Sequence, residues 1–82
     1  MEKHFKDLSG NVYVGRDAWA KELLNWAHLD IELGDHKAAQ KCMTEATHVL
    51  LNLPSKFEMT PKEVEMYYAD KIKNAINHDT LH

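Results

Sequence analysis

Six histidines, at positions 4, 28, 36, 48, 78 and 82, one cysteine at 42 and one aspartate at 30 set among apolar residues are the side chains of this 82-residue chain with chemistry to offer. Of the histidines only His78 and His82 have the i, i+4 spacing that shares a helix face. They lack the carboxylate pattern of an HExxH site, so no metal is expected. His28, His36 and His48 fall on polar faces and are expected to be solvated. Cys42 is the only cysteine, so no internal disulfide forms. It sits on an apolar helical arc, away from any basic cluster or helix N-terminus, and reads as a small core residue of a reducing compartment rather than a reactive thiol. Asp30 lies beside Trp19, Leu23 and Trp26 on a helix. Two readings stand: a partly buried acid hydrogen-bonded to a Tyr, a His or a backbone N–H, or a groove acid that receives a basic or polar group from a partner. As a catalytic acid it has no companion, because Glu32 points to the opposite face and Asp35 is at a turn. With no glycine-rich phosphate loop and no nucleophile elbow, no catalytic residue, metal or cofactor is assigned, and a non-enzymatic protein is expected.

The elements that position these residues are organised around Asp17 to Leu53. Two apolar-periodic runs meet at Gly34-Asp35, the form of an antiparallel αα-hairpin. Helix A spans 17–33 with Asp17 as its N-cap, and helix B spans 36–53 with Asp35 capping it after a left-handed Gly34. On helix B, Ala38, Ala39, Cys42, Met43, Ala46, Val49, Leu50 and Leu53 fill an arc of roughly 140°. Helix A is broader: Trp19, Ala20, Leu23, Leu24, Trp26, Ala27 and Ile31, widened by Leu29 and Leu33, cover roughly 220° and require cover on two sides.

Before the hairpin, HFKDL and VYV flank the turn residues Ser9-Gly10-Asn11 and predict a β-hairpin with strands near 3–8 and 11–15. Phe5, Leu8, Val12 and Val14 would lie on a helical face, since two strands alone are marginal. After the hairpin, Pro54 stops helix B and Phe57 tucks onto the core. Thr60-Pro61-Lys62-Glu63 is a capping box with proline at the first helical position. It starts helix C, 61–77, with an inner stripe of Val64, Tyr68, Ile72, Ala75 and Ile76. The last residues, HDTLH, are expected to fray. The fold class is therefore mainly α: one domain over 1–82, with a β-hairpin in 1–16, an αα-hairpin in 17–53 and a C-terminal helix in 60–77. Trp19, Leu23, Trp26, Ala27, Cys42, Met43, Ala46, Leu50, Tyr68 and Ile72 should be mainly buried.

Hydrophobic residues at 44%, charged residues at 28% and a net charge of −3 describe an ordinary globular chain. Ten basic residues, only Arg16 an arginine, are scattered among thirteen acidic ones, which argues against nucleic-acid binding. No apolar run approaches the ~20 residues of a membrane span and no signal peptide opens the chain, so a cytoplasmic protein without direct membrane insertion is expected.

The hairpin resembles a single tetratricopeptide-like unit, through Gly34-Asp35 at the turn, Ala39, Met43 and Ala46 on the second helix and Trp26 and Ala27 on the first. Asp30 stands where that repeat has an aromatic residue, and no second copy follows. A lone hairpin capped by helix C holds a peptide or helix rather than doing chemistry. Over nearly its full length, through KHFKDLSGNVYVGRDAWAKELLNWA, AAQKCMTEA and YYADKIKNAINH, the chain also resembles the small RIII lysis-inhibition proteins of T-even bacteriophages. That resemblance implies a cytoplasmic accessory antiholin, which delays host-cell lysis by associating with the cytoplasmic part of a holin while a separate antiholin acts from the periplasm. The candidate partner-binding residues are Trp19, Trp26, Asp30, Leu29 and Leu33. They would form a mildly acidic groove suited to an amphipathic helix flanked by basic residues. Helix A's excess apolar area also suggests an association through helix A, a homodimer or a hetero-contact. The alternative function is a small inhibitor or decoy of a host nucleic-acid enzyme. Interspersed rather than clustered acids speak against it.

Overall fold

A computed structural model describes residues 2–80, with side chains through residue 76. The order is β1 (His4–Lys6), β2 (Val12–Val14), α1 (Arg16–Glu32), α2 (His36–Leu50) and α3 (Pro61–Thr80), a mainly α chain with a small two-stranded antiparallel sheet.

The α1–α2 hairpin turns as its sequence predicts. Gly34 takes φ +81, the Gly34 N–H donates to the Ile31 carbonyl and the Asp35 N–H to the Asp30 carbonyl, which together form a Schellman closure. The Asp35 carboxylate then accepts from the Ala38 N–H at 3.1 Å. Helix α2 is shorter than the expected 36–53. Asn52 adopts φ 59, and the Asn52 and Leu53 N–H groups close back on the Val49 and His48 carbonyls, so a second Schellman turn ends the helix before Pro54 can. At the start of α1, Gly15 is the N-cap with φ 95 and makes no side-chain cap bond, which places Asp17 in the first turn instead of at the cap. The Gly15 N–H donates to the Lys3 carbonyl at 2.7 Å, tying the helix start to the residue before β1.

The sheet pairs His4 with Val14, Phe5 with Tyr13 and Lys6 with Val12. Alternation then sends Phe5 and Tyr13 to one face and His4 and the valines to the other. Phe5 is 1% exposed and belongs to the core with Trp19, Ala20, Leu23, Ala46 and Val49, whereas Val14 and the turn residue Leu8 are exposed. The expectation that Leu8 and Val14 lie against a helix is corrected, because Tyr13 occupies the inward phase of β2 and leaves them exposed, whereas Val12 is half-buried on the outer phase.

The largest departure concerns α3. Residues 57–59 pair with the free edge of β1: Phe5 and Glu58 form an antiparallel bridge, the Lys6 N–H donates to the Phe57 carbonyl and the Met59 N–H to the His4 carbonyl. This pairing delivers α3 to the outer face of the sheet, where the Tyr68 hydroxyl meets His4 Nε2 at 2.7 Å and the two rings make an edge contact. The capping box forms as expected, Thr60 N–H to Glu63 at 3.0 Å and Glu63 N–H to Thr60 at 3.2 Å. The helix runs past the expected Asn77 to Thr80. It does not cap the hairpin, so Tyr68 and Ile72, expected to be buried, are exposed. Met43 and Leu50 are exposed for the same reason, since α2 is not covered by α3 and buries the narrower stripe Ala39, Ala46 and Val49. The radius of gyration is 15.6 Å, against about 12 Å for a compact chain of this length. The expected fraying of HDTLH lies outside the described side chains, and so does the His78 and His82 pair.

Candidate functional site

Trp19 is the centre of an aromatic cluster. It is 1% exposed, stacks nearly parallel on Phe5 at 6.0 Å and contacts Tyr13, Trp26 and Phe57 at centroid distances of 5.1, 5.8 and 5.5 Å. Tyr13 also meets Trp26 edge-on. Both strands, α1 and the loop after α2 each send one ring or more to this point, so the cluster joins the sheet, α1 and that loop.

Two acids hold its borders. The Asp7 carboxylate accepts from the Ser9 and Asn11 N–H groups, from Asn11 Nδ2 and from the Tyr13 hydroxyl, which fixes the β-turn as an Asx turn. Burial raises its pKa, but the bonds from Asn11, Tyr13 and Ser9 outweigh burial and hold the carboxyl below the ordinary range. The same pair pushes Tyr13 up to about 12, through burial first and then the hydrogen bond and charge of Asp7, with Glu22 adding to it. On the other side Glu45 accepts from Trp19 Nε1 at 3.3 Å and from the Ser55 hydroxyl. Ser55 Oγ in turn accepts from the Phe57 N–H. That chain of bonds pins the 55–57 loop to α2.

Between these borders lies an open groove of about 830 Å³. Trp19, Leu23, Trp26 and Phe57 form its apolar floor, the β-turn residues Asp7, Leu8 and Ser9 one lip, and the polar flank of α2 with Lys37, Gln40, Lys41, Thr44 and His48 the other. Lys56 completes the rim, its ammonium 5.4 Å from the Phe57 ring centroid. Against the three lysines the lining has two acids, Asp7 and Glu45, both engaged in internal bonds, which leaves a formal balance of one positive charge with the lysines at the rim. The expectation of a mildly acidic groove is thereby corrected to a lysine-rimmed one.

Of the five candidate residues the structure brings Trp19 and Trp26 together in this groove. Leu29 and Leu33 are exposed, Leu33 at 81%, and line no part of it. Asp30 is half-buried. Its partner is the Cys42 thiol, with Sγ 3.9 Å from Oδ2, and not the Tyr, His or backbone N–H expected. Burial first, then the charge and hydrogen bond of Asp30, push the Cys42 thiol up. Cys42 is half-buried at the groove wall, not deep in the core. His28, His36 and His48 are exposed, as expected.

Sequence reasoning passed over Asp7, Tyr13, His4 and Glu45. Asp7 had a readable signal, since an Asp two residues before Ser-Gly, as in Asp7-Leu8-Ser9-Gly10-Asn11, is placed to accept from the N–H two residues on and form an Asx turn. Glu45 had none, because it lies on the polar side of α2 and is covered only by a loop that comes back ten residues later. His4 is buried with Nδ1 3.2 Å from the Glu2 carbonyl. A carbonyl only accepts, so Nδ1 carries the proton and Nε2 faces the Tyr68 hydroxyl. Among the described residues, no helix is long and apolar enough to cross a membrane. The chain matches no protein-family model, and neither the curated proteins nor the solved structures hold a significant match to it.

Proposed function

We propose that this chain is a non-enzymatic bacteriophage regulatory protein that delays host-cell lysis by binding the cytoplasmic part of a holin. The partner is what the resemblance to the RIII lysis-inhibition proteins, over nearly the full chain, implies. The structural observation that supports a binding role is the groove: an aromatic floor around Trp19 and Trp26, open along its length and rimmed by Lys37, Lys41 and Lys56. A concave surface with a tryptophan anchor and a charged rim suits an amphipathic segment that lays its apolar side on the floor. The lysine rim calls for acidic residues along the edges of that segment, in place of the basic flanks that an acidic groove was expected to receive. The protein acts in the cytoplasm on this reading, because the holin segment it holds is there. The decoy alternative has no support in this surface, since a nucleic-acid mimic needs a dense acidic face and the groove presents lysines.

The test is calorimetric titration of the protein with a synthetic holin cytoplasmic segment. Trp26→Ala should weaken binding by about 2 kcal/mol, the scale of an interface anchor. Lys37→Glu with Lys41→Glu should weaken it and flatten its salt dependence. Leu33→Ala should leave it unchanged. A folded protein that does not bind the segment at all would sink the proposal.

A further inference from the structure

The two helices of the hairpin carry one spacing twice. Ala20, Leu24, Ala27 and Ile31 on α1 recur at intervals of four, three and four, and Ala39, Met43, Ala46 and Leu50 on α2 do the same. This is the seam spacing of packed helix bundles, with small and large residues alternating. The four alanines are buried between α1 and α2, whereas Leu24, Ile31, Met43 and Leu50 remain 42–51% exposed. The large residues stand on the side away from the groove, because Leu24 and Ile31 lie roughly 140–160° around α1 from Trp26. Leu24 is ten residues before Gly34 and Met43 nine after it, so the antiparallel hairpin brings them to one level, with Ile31 and Leu50 towards its ends. No Lys, Arg, Asp or Glu falls within this arc on either helix.

We propose that a second copy of the chain covers this face, two hairpins pairing about a two-fold axis into a four-helix bundle. The chain's own α3 is fastened elsewhere, by His4 to Tyr68 and by the Met59 N–H to the His4 carbonyl, on the sheet face turned away from the helices. A partner recognised by charge would meet none here. A second copy presents an equally uncharged ridge of alternating large and small residues, and such a ridge is self-complementary. Four side chains about half exposed offer roughly 350 Å² per copy, so a pair that clears the ~1,000 Å² of a specific contact takes the remainder from their polar neighbours, in the roughly two-to-one apolar proportion of homodimers. An interface of this size lies at the small end of specific contacts, where association is weak and reversible. The groove stays open on the opposite side, so the dimer stands or falls independently of holin binding.

Sedimentation equilibrium of the full chain from low to high micromolar concentration should show the mass rising from one copy to two. Leu24→Glu with Met43→Glu should weaken association at least tenfold while the helical circular dichroism is kept, and Ile72→Glu should leave it unchanged. Should the double variant lose its helices, Leu24→Cys in a Cys42→Ala background should cross-link two copies with a short bismaleimide, and Lys41→Cys in that background should not. A single-copy mass at every concentration, or a double variant that dimerises as the wild type does, overturns the proposal. So does a monomer whose scattering radius falls from 15.6 Å towards ~12 Å, because the chain's own α3 would then cover the face.

Discussion

Replacing Asp7 by alanine should cost more than any other substitution of a charged residue in the described chain. Its carboxylate accepts from the Ser9 and Asn11 N–H groups at 2.9 Å each, from Asn11 Nδ2 at 3.2 Å and from the Tyr13 hydroxyl at 3.0 Å. A hydrogen bond to a charged acceptor contributes about 1.5–3 kcal/mol, but the terms do not add. Ser9 and Asn11 are exposed, so in Asp7→Ala their N–H groups regain water and recover most of their loss. The Tyr13 hydroxyl, on a ring packed against Trp19 and Trp26, recovers least. A net loss of about 2–3 kcal/mol follows, a large part of the ~4–12 kcal/mol that a chain of this length can have. Asp7→Asn should fall between, because its amide oxygen still accepts from the two backbone donors.

Urea unfolding at pH 7 measures this loss, and the pH dependence checks its origin. Asp7 has its folded pKa held below the ordinary 3.8. Its charge therefore stabilises the fold above about pH 4, and that stability is lost as pH falls through the folded value. The gap between wild type and Asp7→Ala should narrow accordingly in acid. Tyr13 runs the other way. Its folded pKa is raised from 10.0 to about 12, so its contribution is complete below pH 10 and is lost as pH rises from 10 through about 12. Tyr13→Phe should remove that alkaline slope, and ultraviolet titration should find one tyrosine ionising near 12. A loss under ~0.5 kcal/mol in Asp7→Ala, the size of an ordinary surface change, would refute the assignment of Asp7 as the clasp of the sheet.

Three further outcomes follow from the packing. Phe5→Ala should destabilise the chain by about 3–5 kcal/mol whereas Ile72→Ser should change it by less than ~0.5 kcal/mol, both read by urea unfolding, because Phe5 is 1% and Ile72 is 61% exposed. Gly34→Ala should cost about 1 kcal/mol by the same assay: a Cβ there meets nothing within 4 Å, and only φ +81 opposes it. Cys42 should react slowly with iodoacetamide at pH 8. Asp30→Asn should speed that reaction severalfold by removing the carboxylate charge beside the thiol, and an unchanged rate would disconnect the two residues.

What was legible in the sequence was whatever is decided within one turn of helix. Gly34-Asp35 and Thr60-Pro61-Lys62-Glu63 carry their own hydrogen-bond partners, so the αα-hairpin and the start of α3 could be read without knowing what surrounds them. The strands were harder. VYV offers an apolar residue in both phases, and Tyr13 takes the inward one because Asp7, six residues earlier, holds its hydroxyl. The groove was half legible: Trp19 and Trp26 were candidates, but Lys37 and Lys41 are ordinary polar-face residues of α2 and become a rim only when the β-turn and the 55–57 loop stand beside them. The placement of α3 was least legible. Val64, Tyr68 and Ile72 repeat at a helical period, and a period shows that a stripe exists without showing what covers it. That choice belongs to residues 57–59, which add a third, unpatterned piece to the edge of β1 and so aim the helix at His4 instead of at the hairpin. The consequence reaches the proposed assembly. With α3 directed away, the alternating seam of Leu24, Ile31, Met43 and Leu50 keeps the periodicity of a buried face, and a second hairpin of the same sequence has the matching spacing to bury it.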